Sequence, residues 1–326
     1  MINIDDIIKQ SNNTSIIDKN ILQPYIYIDN LPSNNQNIRS KFLNAFNELY
    51  FKINNQQLLN KIDSIISIFH NSSLLIDDIE DSSQYRRKHK TSHLIYGIPL
   101  TLNCGNLMYF KALQQSQLLS NDSLIKLKIS DILINEMLNL HHGQGLDIYW
   151  RDYLITLDHL PSIQDYLNMV KDKTGGLFRL STSLLNLFSE EKFDLIAVSN
   201  LLGILYQIRD DYLNLVDESY GLNKGIKGED LIEGKLSLPI LHCLIETGKS
   251  SPVYKLLYEF QNPNKRKEQM DLISECIKYM EVESYSLKFT QDLILQYKEK
   301  LMSLISKRDG WDNSSLIQII NHLCNV

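Results

Sequence analysis

Leu74-Leu75-Ile76-Asp77-Asp78-Ile79-Glu80-Asp81 places four acidic residues within five positions at the end of an apolar stretch. The apolar residues before it recur every three or four positions, which predicts a helix with the acids at its carboxyl end. Asp77 and Asp81 share a face, and like charges at that spacing destabilise a helix by ~0.2–0.5 kcal/mol unless a cation intervenes. Paired carboxylates suit Mg²⁺, a hard cation that prefers oxygen ligands.

A second acidic pair occurs in Gln207-Ile208-Arg209-Asp210-Asp211-Tyr212, again at the end of an apolar helical pattern. A single match to DDxxD is more often a solvated helix end than a metal site. Two such motifs in one helical chain are a stronger signal, because facing helices could hold metal ions around a diphosphate. His70 and Ser73 continue the face of Asp77 by two turns and one turn, so that face stays polar where apolar residues are expected.

Helical periodicity extends along nearly the whole chain, and alternating strand patterns are nearly absent. Helix breaks are predicted near Gly97–Pro99, Ser120–Asp122, Pro161 and Gly221–Gly234. The pattern predicts an all-α protein of about ten or more helices, most of them antiparallel, around a central cavity. We expect residues 1–326 to form one domain, with residues 1–20 a flexible segment or one exchanged between subunits.

Composition excludes several classes of protein. The net charge of −6 argues against a basic nucleic-acid-binding surface. The four cysteines are far apart and form no zinc or disulfide pattern. The longest apolar stretch, Leu195–Tyr206, is shorter than the ~20 residues that span a bilayer. The amino terminus lacks the features of a secretory signal. These features predict a cytoplasmic protein without a transmembrane segment.

Basic residues flank both acidic motifs: Arg86, Arg87 and Lys88 after the first, Lys173 before the second, and Lys224, Lys227 and Lys235 after it. Arginine binds phosphate through a planar fork, and lysine acts as a mobile point charge. A single basic run is usually solvated surface. Because every run here borders an acidic helix, a diphosphate site is the better interpretation.

The residues resemble trans-prenyl diphosphate synthases, most closely the eukaryotic geranylgeranyl diphosphate synthases. The resemblance extends from about Tyr25 to about Leu241, and its most specific stretches are residues 74–81 with Arg86-Arg87, Ile95–Pro99, His142–Asp152, Lys173–Phe178, Gln207–Tyr212 and Glu229–Lys235. It implies an isoprenoid synthase fold and a single polyprenyl synthase domain. The implied reaction joins isopentenyl diphosphate head to tail to an allylic diphosphate of five, ten or fifteen carbons, and the expected product is geranylgeranyl diphosphate.

The resemblance also implies roles for individual residues. Asp77 and Asp81 would bind two Mg²⁺ ions, and Asp210 would bind a third. Mn²⁺ would substitute for Mg²⁺. The other catalytic residues are Asp78, Arg86, Lys173 and Asp211. The allylic diphosphate would be held by Arg86, Lys173, Thr174, Gln207, Lys224 and Lys235, and isopentenyl diphosphate by Gln36, Arg39, His70 and Arg87. Gln144, Asp147 and Asn214 would support these groups, and the chain is expected to form a homodimer or a higher homo-oligomer.

Three departures from the family pattern stand out. Gln36 occupies the position of a lysine that usually binds isopentenyl diphosphate. The loop from Lys224 to Lys235 is one residue longer than is typical, which leaves the role of Lys235 open. The third acid of the second motif is Asn214, a common change among geranylgeranyl enzymes.

Product length should depend on residues one turn before the first motif, where the growing tail points down the helix. Ser72 and Ser73 lie there and are small, which favours products longer than fifteen carbons. The resemblance makes Tyr109, Phe110 and His141 the floor of the cavity. Ordinary core packing explains these three residues equally well.

Three other functions stay open at this point. The first is a farnesyl or mixed-length polyprenyl diphosphate synthase. The second is a class I terpene cyclase, which would not need the second diphosphate site that Arg39, His70 and Arg87 suggest. The third is a non-catalytic subunit of a heteromeric synthase, which would be expected to lose acids from one or both motifs.

Overall fold

The computed structural model describes residues 17–32, 38–217 and 227–325. The structure is 76% helical, with almost no strands among the described residues, which confirms the prediction of an all-α fold. The described part of the chain has one pair of strands, β1 (Tyr85–Arg86) and β2 (His89–Lys90), which form an antiparallel hairpin. The predicted binding residues Gln36 and Lys224 lie outside the described residues.

Nine α-helices lie among the described residues up to Phe188. They are α1 (Ile17–Ile21), α2 (Gln23–Asp29), α3 (Ile38–Phe46), α4 (Gln56–Glu80), α5 (Ser92–Tyr96), α6 (Ile98–Ser116), α7 (Ser123–Asp152), α8 (Ile163–Lys173) and α9 (Gly176–Phe188). A π-helical turn at Asn47–Phe51 continues α3, and a 3₁₀ turn at Leu154–Thr156 follows α7.

Eight more helices follow in the described part. They are α10 (Ile196–Val216), α11 (Glu229–Glu233), α12 (Leu238–Thr247), α13 (Pro252–Glu259), α14 (Pro263–Lys267), α15 (Met270–Val282), α16 (Ser286–Ile305) and α17 (Ser315–Leu323). A 3₁₀ turn at Gly248–Ser250 lies between α12 and α13. None of the described helices is both long enough and apolar enough to cross a membrane.

Polar caps define where the helices around the cavity begin. Asn55 accepts a hydrogen bond from the backbone N–H of Leu58 (3.1 Å) at the start of α4. Asp122 accepts two at the start of α7. Ser162 and Asp165 form a reciprocal capping box before α8. Such caps satisfy backbone donors that have no partner within a helix. The residues at which these helices begin are therefore determined by the local sequence.

Helix α10 occupies the centre of the bundle, where it packs against α8, α9, α11, α12, α16 and α17. Its Gly203 faces Gly175, which lies between α8 and α9. A Cβ added at Gly203 would lie 2.4 Å from the Cα of Gly175, so a side chain there would force the helices apart. This close approach brings the second acidic motif, on α10, next to the turn that carries Lys173 and Thr174.

The turn of the β-hairpin is strained. Arg86 pairs with His89, which leaves Arg87 and Lys88 as a two-residue turn with φ values of 52° and 68°. Positive φ at both turn positions favours glycine or asparagine, and another residue in the left-handed region costs ~1–2 kcal/mol. Arg87 lines the cavity, whereas Lys88 is exposed to solvent. Lys88 is therefore strained although its side chain makes no contact with the cavity.

We predict that Lys88→Gly raises the free energy of unfolding by ~1 kcal/mol, because glycine adopts this conformation without steric cost. Urea denaturation measures the change. Lys90→Gly is the control, since Lys90 lies in β2, where glycine weakens a strand. Equal changes in the two variants, or a lower free energy of unfolding in Lys88→Gly, would contradict the assignment of strain to position 88.

Candidate active site

A cavity of about 700 Å³ lies between the helices that carry the two acidic motifs. Its wall includes residues from α3, α4, α6, α7, α9 and α10, together with the β-hairpin. Asp77 and Asp210 both line it. The two motifs, 133 positions apart in the sequence, therefore face one common chamber.

The two aspartates at the start of the first motif have different surroundings. Asp77 faces the cavity, and a quarter of its side chain is exposed. Asp78 is buried behind the wall, where its Oδ1 accepts a hydrogen bond from Nε of Arg86 at 2.7 Å. Burial raises the pKa of Asp78, and the Arg86 guanidinium opposes that rise. The structure thus gives Asp77 access to a ligand, and it places Asp78 where it orients Arg86.

Asp81, the last acid of the first motif, lies between two cations. Its Oδ1 is 2.5 Å from the Nη1 of Arg151, and its Oδ2 is 2.5 Å from the Nζ of Lys235. Burial alone would raise the pKa of this carboxyl group, but the nearby cations, Lys235 foremost, hold it well below its usual range. Asp81 is therefore an ionised carboxylate. Arg151 belongs to the stretch His142–Asp152 of the resemblance but was not among the predicted site residues.

In the second motif, as in the first, one aspartate faces the cavity and the next is buried. Asp210 lines the cavity, whereas Asp211 is buried and does not. Asp211 accepts hydrogen bonds from the Tyr166 hydroxyl, from Nε2 of Gln207 (2.9 Å) and from the backbone N–H of Leu238 (2.8 Å). Burial raises its pKa to about 6. Asp211 was predicted to be catalytic, but this environment makes it an anchor that joins α8, α10 and α12 behind Asp210.

Asn214 also lies away from the cavity. Its Oδ1 accepts a hydrogen bond from the backbone N–H of Asp230 (3.1 Å), and its carbonyl accepts one from Gly228. It was predicted to support the metal site. In the structure it holds the start of α11, the short helix that precedes Lys235.

The carboxylates that line the cavity suit Mg²⁺, because this hard cation prefers oxygen ligands. In the described part of the chain, however, no three acidic, histidine or cysteine side chains lie close enough to hold a metal ion by themselves. Mg²⁺ is commonly bound by one or two carboxylates together with substrate phosphates. Asp77 and Asp210, lining one chamber, fit that arrangement. Gln144 orients the first acidic motif by donating hydrogen bonds to Oδ1 of Asp77 (3.1 Å) and to Glu80 (2.8 Å).

Arg39, His70 and Arg87 all line the cavity and form a cluster of basic groups. Burial and, to a lesser extent, the nearby Arg87 and Arg86 together lower the pKa of Arg39 to about 10. Burial and these same arginines lower the pKa of His70 well below its usual value. Basic groups that repel one another at a cavity wall are a common feature of anion sites. The cluster contains three of the four residues predicted to hold isopentenyl diphosphate, and the fourth, Gln36, lies outside the described residues.

The turn between α8 and α9 adds a second basic group. Nζ of Lys173 is 2.5 Å from an oxygen of Asp147, and the Thr174 hydroxyl donates to Gln207 at 2.8 Å. Lys173, Thr174 and Gln207 all line the cavity. Of the two residues predicted to support the site, Asp147 therefore contacts Lys173, and Gln144 contacts the first acidic motif.

Apolar residues also line the cavity, beside the acidic and basic groups. The predicted residues Ser73, Tyr109 and His141 line it. The sequence-based prediction missed several apolar residues of the wall: Leu133, Met137, Leu140, Leu177 and Leu180. Leu133, Met137 and Leu140 follow helical spacing before His141 on α7, so this spacing could have identified them. The remaining two required knowledge of how α9 packs.

Two predicted chain-length residues do not reach the cavity. Ser72 is fully buried and donates to the backbone carbonyl of Ile68 at 2.6 Å. Phe110 is 69% exposed on the outer side of α6. Each of these residues is next in the sequence to one that lines the cavity. Successive residues of a helix point about 100° apart, so the neighbour of a cavity residue can face elsewhere. In this chain, only Ser73 and Tyr109 of the two neighbouring pairs lie at the cavity.

Comparisons with known proteins agree with these features. The family described as Polyprenyl synthetase matches residues 19–280. A geranylgeranyl pyrophosphate synthase of Dictyostelium discoideum is 35% identical over 94% of this chain and 94% of its own length. Enzymes with the same description from Metarhizium anisopliae and Gibberella zeae are 44% and 46% identical over 69% of this chain. The chain spans 63% and 57% of the length of these two relatives.

Proposed function

The chain belongs to the polyprenyl synthetase family, and on that premise we propose that it is a Mg²⁺-dependent prenyltransferase. It joins isopentenyl diphosphate to an allylic diphosphate, and geranylgeranyl diphosphate is the main product. The observation that carries the proposal is the single cavity that Asp77 and Asp210 share. The relatives' descriptions as geranylgeranyl pyrophosphate synthases support the product.

The cavity offers a place for each substrate. The allylic diphosphate lies between Asp77 and Asp210, where Lys173, Thr174 and Gln207 can contact its oxygens. Isopentenyl diphosphate lies against the cluster of Arg39, His70 and Arg87. The hydrocarbon tail extends past Ser73 into the apolar part of the cavity. Asp77, Asp81 and Asp210 would hold about three Mg²⁺ ions, in keeping with the general Mg²⁺ dependence of the family.

The reaction requires ionisation of the allylic carbon–oxygen bond. Bound Mg²⁺ would supply Lewis-acid stabilisation of the negative charge that develops on the leaving diphosphate. Lys173 adds a fixed positive charge at the same place, and Asp147 orients its ammonium group. Arg39 and Arg87 hold the second substrate so that its double bond attacks the allylic carbocation. The apolar wall excludes water that would otherwise trap the cation. The departing diphosphate accepts the proton that is lost.

Incorporation of radiolabelled isopentenyl diphosphate tests the proposal. We expect the purified chain, given farnesyl diphosphate and Mg²⁺, to form labelled geranylgeranyl diphosphate, and EDTA to abolish the reaction. A terpene cyclase would incorporate no label, and a non-catalytic subunit would show no turnover alone. Either result would contradict the proposal. Products of fifteen carbons from shorter primers, with none of twenty, would support a farnesyl enzyme instead.

We also propose that the chain forms a homodimer and works in a reducing compartment such as the cytoplasm. All four cysteines are free and buried, in keeping with a reducing environment. Exposed apolar residues follow the outer faces of two adjacent helices: Leu102 and Phe110 on α6, and Leu124, Leu127, Ile134 and Leu138 on α7. They are eight residues apart on α6 and three, seven and four residues apart on α7, so on each helix they form a stripe along one face. A second copy of the chain would cover both stripes.

We predict that Leu138→Glu converts the dimer to a monomer, because two buried and unpaired charges would enter the interface. Sedimentation velocity measures the change in mass. Leu295→Glu is the matched control, since Leu295 is equally exposed on α16, away from these stripes. A monomeric parent chain, or a Leu138→Glu variant that remains dimeric, would contradict this interface.

A further inference from the structure

We propose that Arg266, in the carboxyl-terminal part of the chain, is a positioning residue for Lys235. This inference rests on the proposed function and deepens it, because it makes Lys235, which lines the cavity, one of the cations that would hold the diphosphate. Arg266 lies on α14 and is not part of the cavity wall. It is nevertheless only 5% exposed, and burial of a guanidinium group requires partners for its donors. The sequence alone assigned no chemistry to this part of the chain.

The partners of Arg266 are backbone carbonyls at the end of α11. Its Nε donates to the carbonyl of Ile232 (2.7 Å), and its Nη2 donates to that of Glu233 (2.7 Å). A third bond runs from Nη1 to Phe260 (2.9 Å). The last carbonyls of a helix have no partners within it and carry partial negative charge. Arg266 therefore supplies a cationic cap for α11 from a distant part of the chain.

The cap also fixes the path of the backbone towards Lys235. Gly234 follows α11 with a φ of +85°, and a Cβ there would lie 2.7 Å from Nη2 of Arg266. Glycine at this position thus lets the guanidinium approach the backbone. The next residue, Lys235, turns into the cavity and places its Nζ 2.5 Å from Asp81 and 2.8 Å from Glu233.

Helix α11 needs this external support. It has only five residues, and so short a helix is not stable by its own hydrogen bonds. Asn214 holds its first turn, as described above, and Arg266 holds its last. Loss of the second contact would release the carbonyls of Ile232 and Glu233. The ammonium group of Lys235 would then lose its fixed position between Asp81 and Glu233.

Calorimetric titration with inorganic pyrophosphate and Mg²⁺ tests this inference without turnover. We expect Arg266→Ala to weaken binding by about 10–100-fold, the usual effect of removing a group that orients a ligand-binding residue. Lys265→Ala, which removes an exposed charge from the same helix, should change nothing. If Arg266 acts through Lys235, the double variant with Lys235→Ala should bind no more weakly than Lys235→Ala alone. Additive losses, or unchanged binding in Arg266→Ala, would overturn the inference.

Chemical rescue separates positioning from general destabilisation. A crevice of about 130 Å³ borders Arg266 and Gly234, so truncation of the side chain leaves space for a small cation. Millimolar guanidinium chloride should restore pyrophosphate binding to Arg266→Ala and not to Lys235→Ala. Absence of rescue in a folded variant would count against the inference. If Arg266→Ala does not fold, Arg266→Lys replaces it, because a single Nζ cannot occupy the positions of Nε, Nη1 and Nη2 at once.

Hydrogen exchange distinguishes failure of this inference from failure of the proposed function. The N–H groups of Gly234 and Lys235 both donate to the carbonyl of Asp230 at 2.9 Å. In the ligand-free protein, Arg266→Ala should speed exchange in residues 229–238, while Lys265→Ala should not. Faster exchange in a chain that binds no pyrophosphate would refute the proposed function and leave the placement of Lys235 standing. Unchanged exchange would refute the placement.

Discussion

Asp77→Asn will lower kcat/KM for prenyl transfer by about 10³-fold while leaving the melting temperature nearly unchanged. The substitution removes a negative charge from the cavity wall without changing the shape of the side chain. Stabilisation by a bound metal is worth several kcal/mol, and each 1.36 kcal/mol is tenfold in rate. Steady-state kinetics with farnesyl and isopentenyl diphosphates, together with thermal unfolding, measure the two effects.

The neighbouring position provides the contrast. Asp78→Asn leaves the Arg86 guanidinium without its buried partner, so we expect it to lower the free energy of unfolding by ~3 kcal/mol. Asp309→Asn changes an exposed aspartate in the loop after α16 and should alter neither activity nor stability. If Asp77→Asn retains activity within tenfold of the parent, Asp77 is not a metal ligand and the proposed site is wrong.

Ser73→Phe will shift the main product from twenty carbons towards fifteen. Ser73 lines the cavity one turn, or ~5.4 Å, before Asp77, so a phenyl ring there blocks the path of the growing tail. Steric discrimination in an apolar pocket is worth about 10–200-fold, and we expect the ratio of the two products to change by that factor. Chromatography of the dephosphorylated products gives the ratio directly.

Ser72→Ala is the matched control for this prediction. Ser72 is fully buried outside the cavity, so its replacement should leave the product ratio unchanged. A change of equal size in both variants would indicate a general disturbance of α4. An unchanged ratio in Ser73→Phe would mean that the tail does not pass this position.

The helical class and the shared site were predictable because both depend on repeating local patterns. Apolar spacing identified the helices, and two acidic motifs at helix ends predicted a common chamber. The direction of each side chain within a motif was harder to predict. Asp77 and Asp78 are adjacent in the sequence, yet one faces the cavity and the other is buried. Tertiary packing decides this, because a helix alone does not specify which face meets its neighbours.

Contacts between residues that are far apart in the chain could not be predicted from the sequence. Tyr166 donates to Asp211 across 45 positions, and Arg266 caps α11 across more than 30. Neither residue belongs to a recognisable pattern. Arg151 could have been noticed, because it lies in a matching stretch, but its contact with Asp81 depends on how α7 crosses the end of α4. Supporting residues are therefore harder to predict than the acids that they hold.

A crystal structure with Mn²⁺ and a non-hydrolysable thiolo analogue of farnesyl diphosphate would show whether Asp77 and Asp210 hold one diphosphate between them. Anomalous scattering locates Mn²⁺ independently of the protein atoms. We expect metal peaks beside both Asp77 and Asp210, joined by one diphosphate, with the hydrocarbon tail passing Ser73. Metal peaks at only one of the two acidic motifs, or a diphosphate bound outside their common cavity, would contradict this expectation.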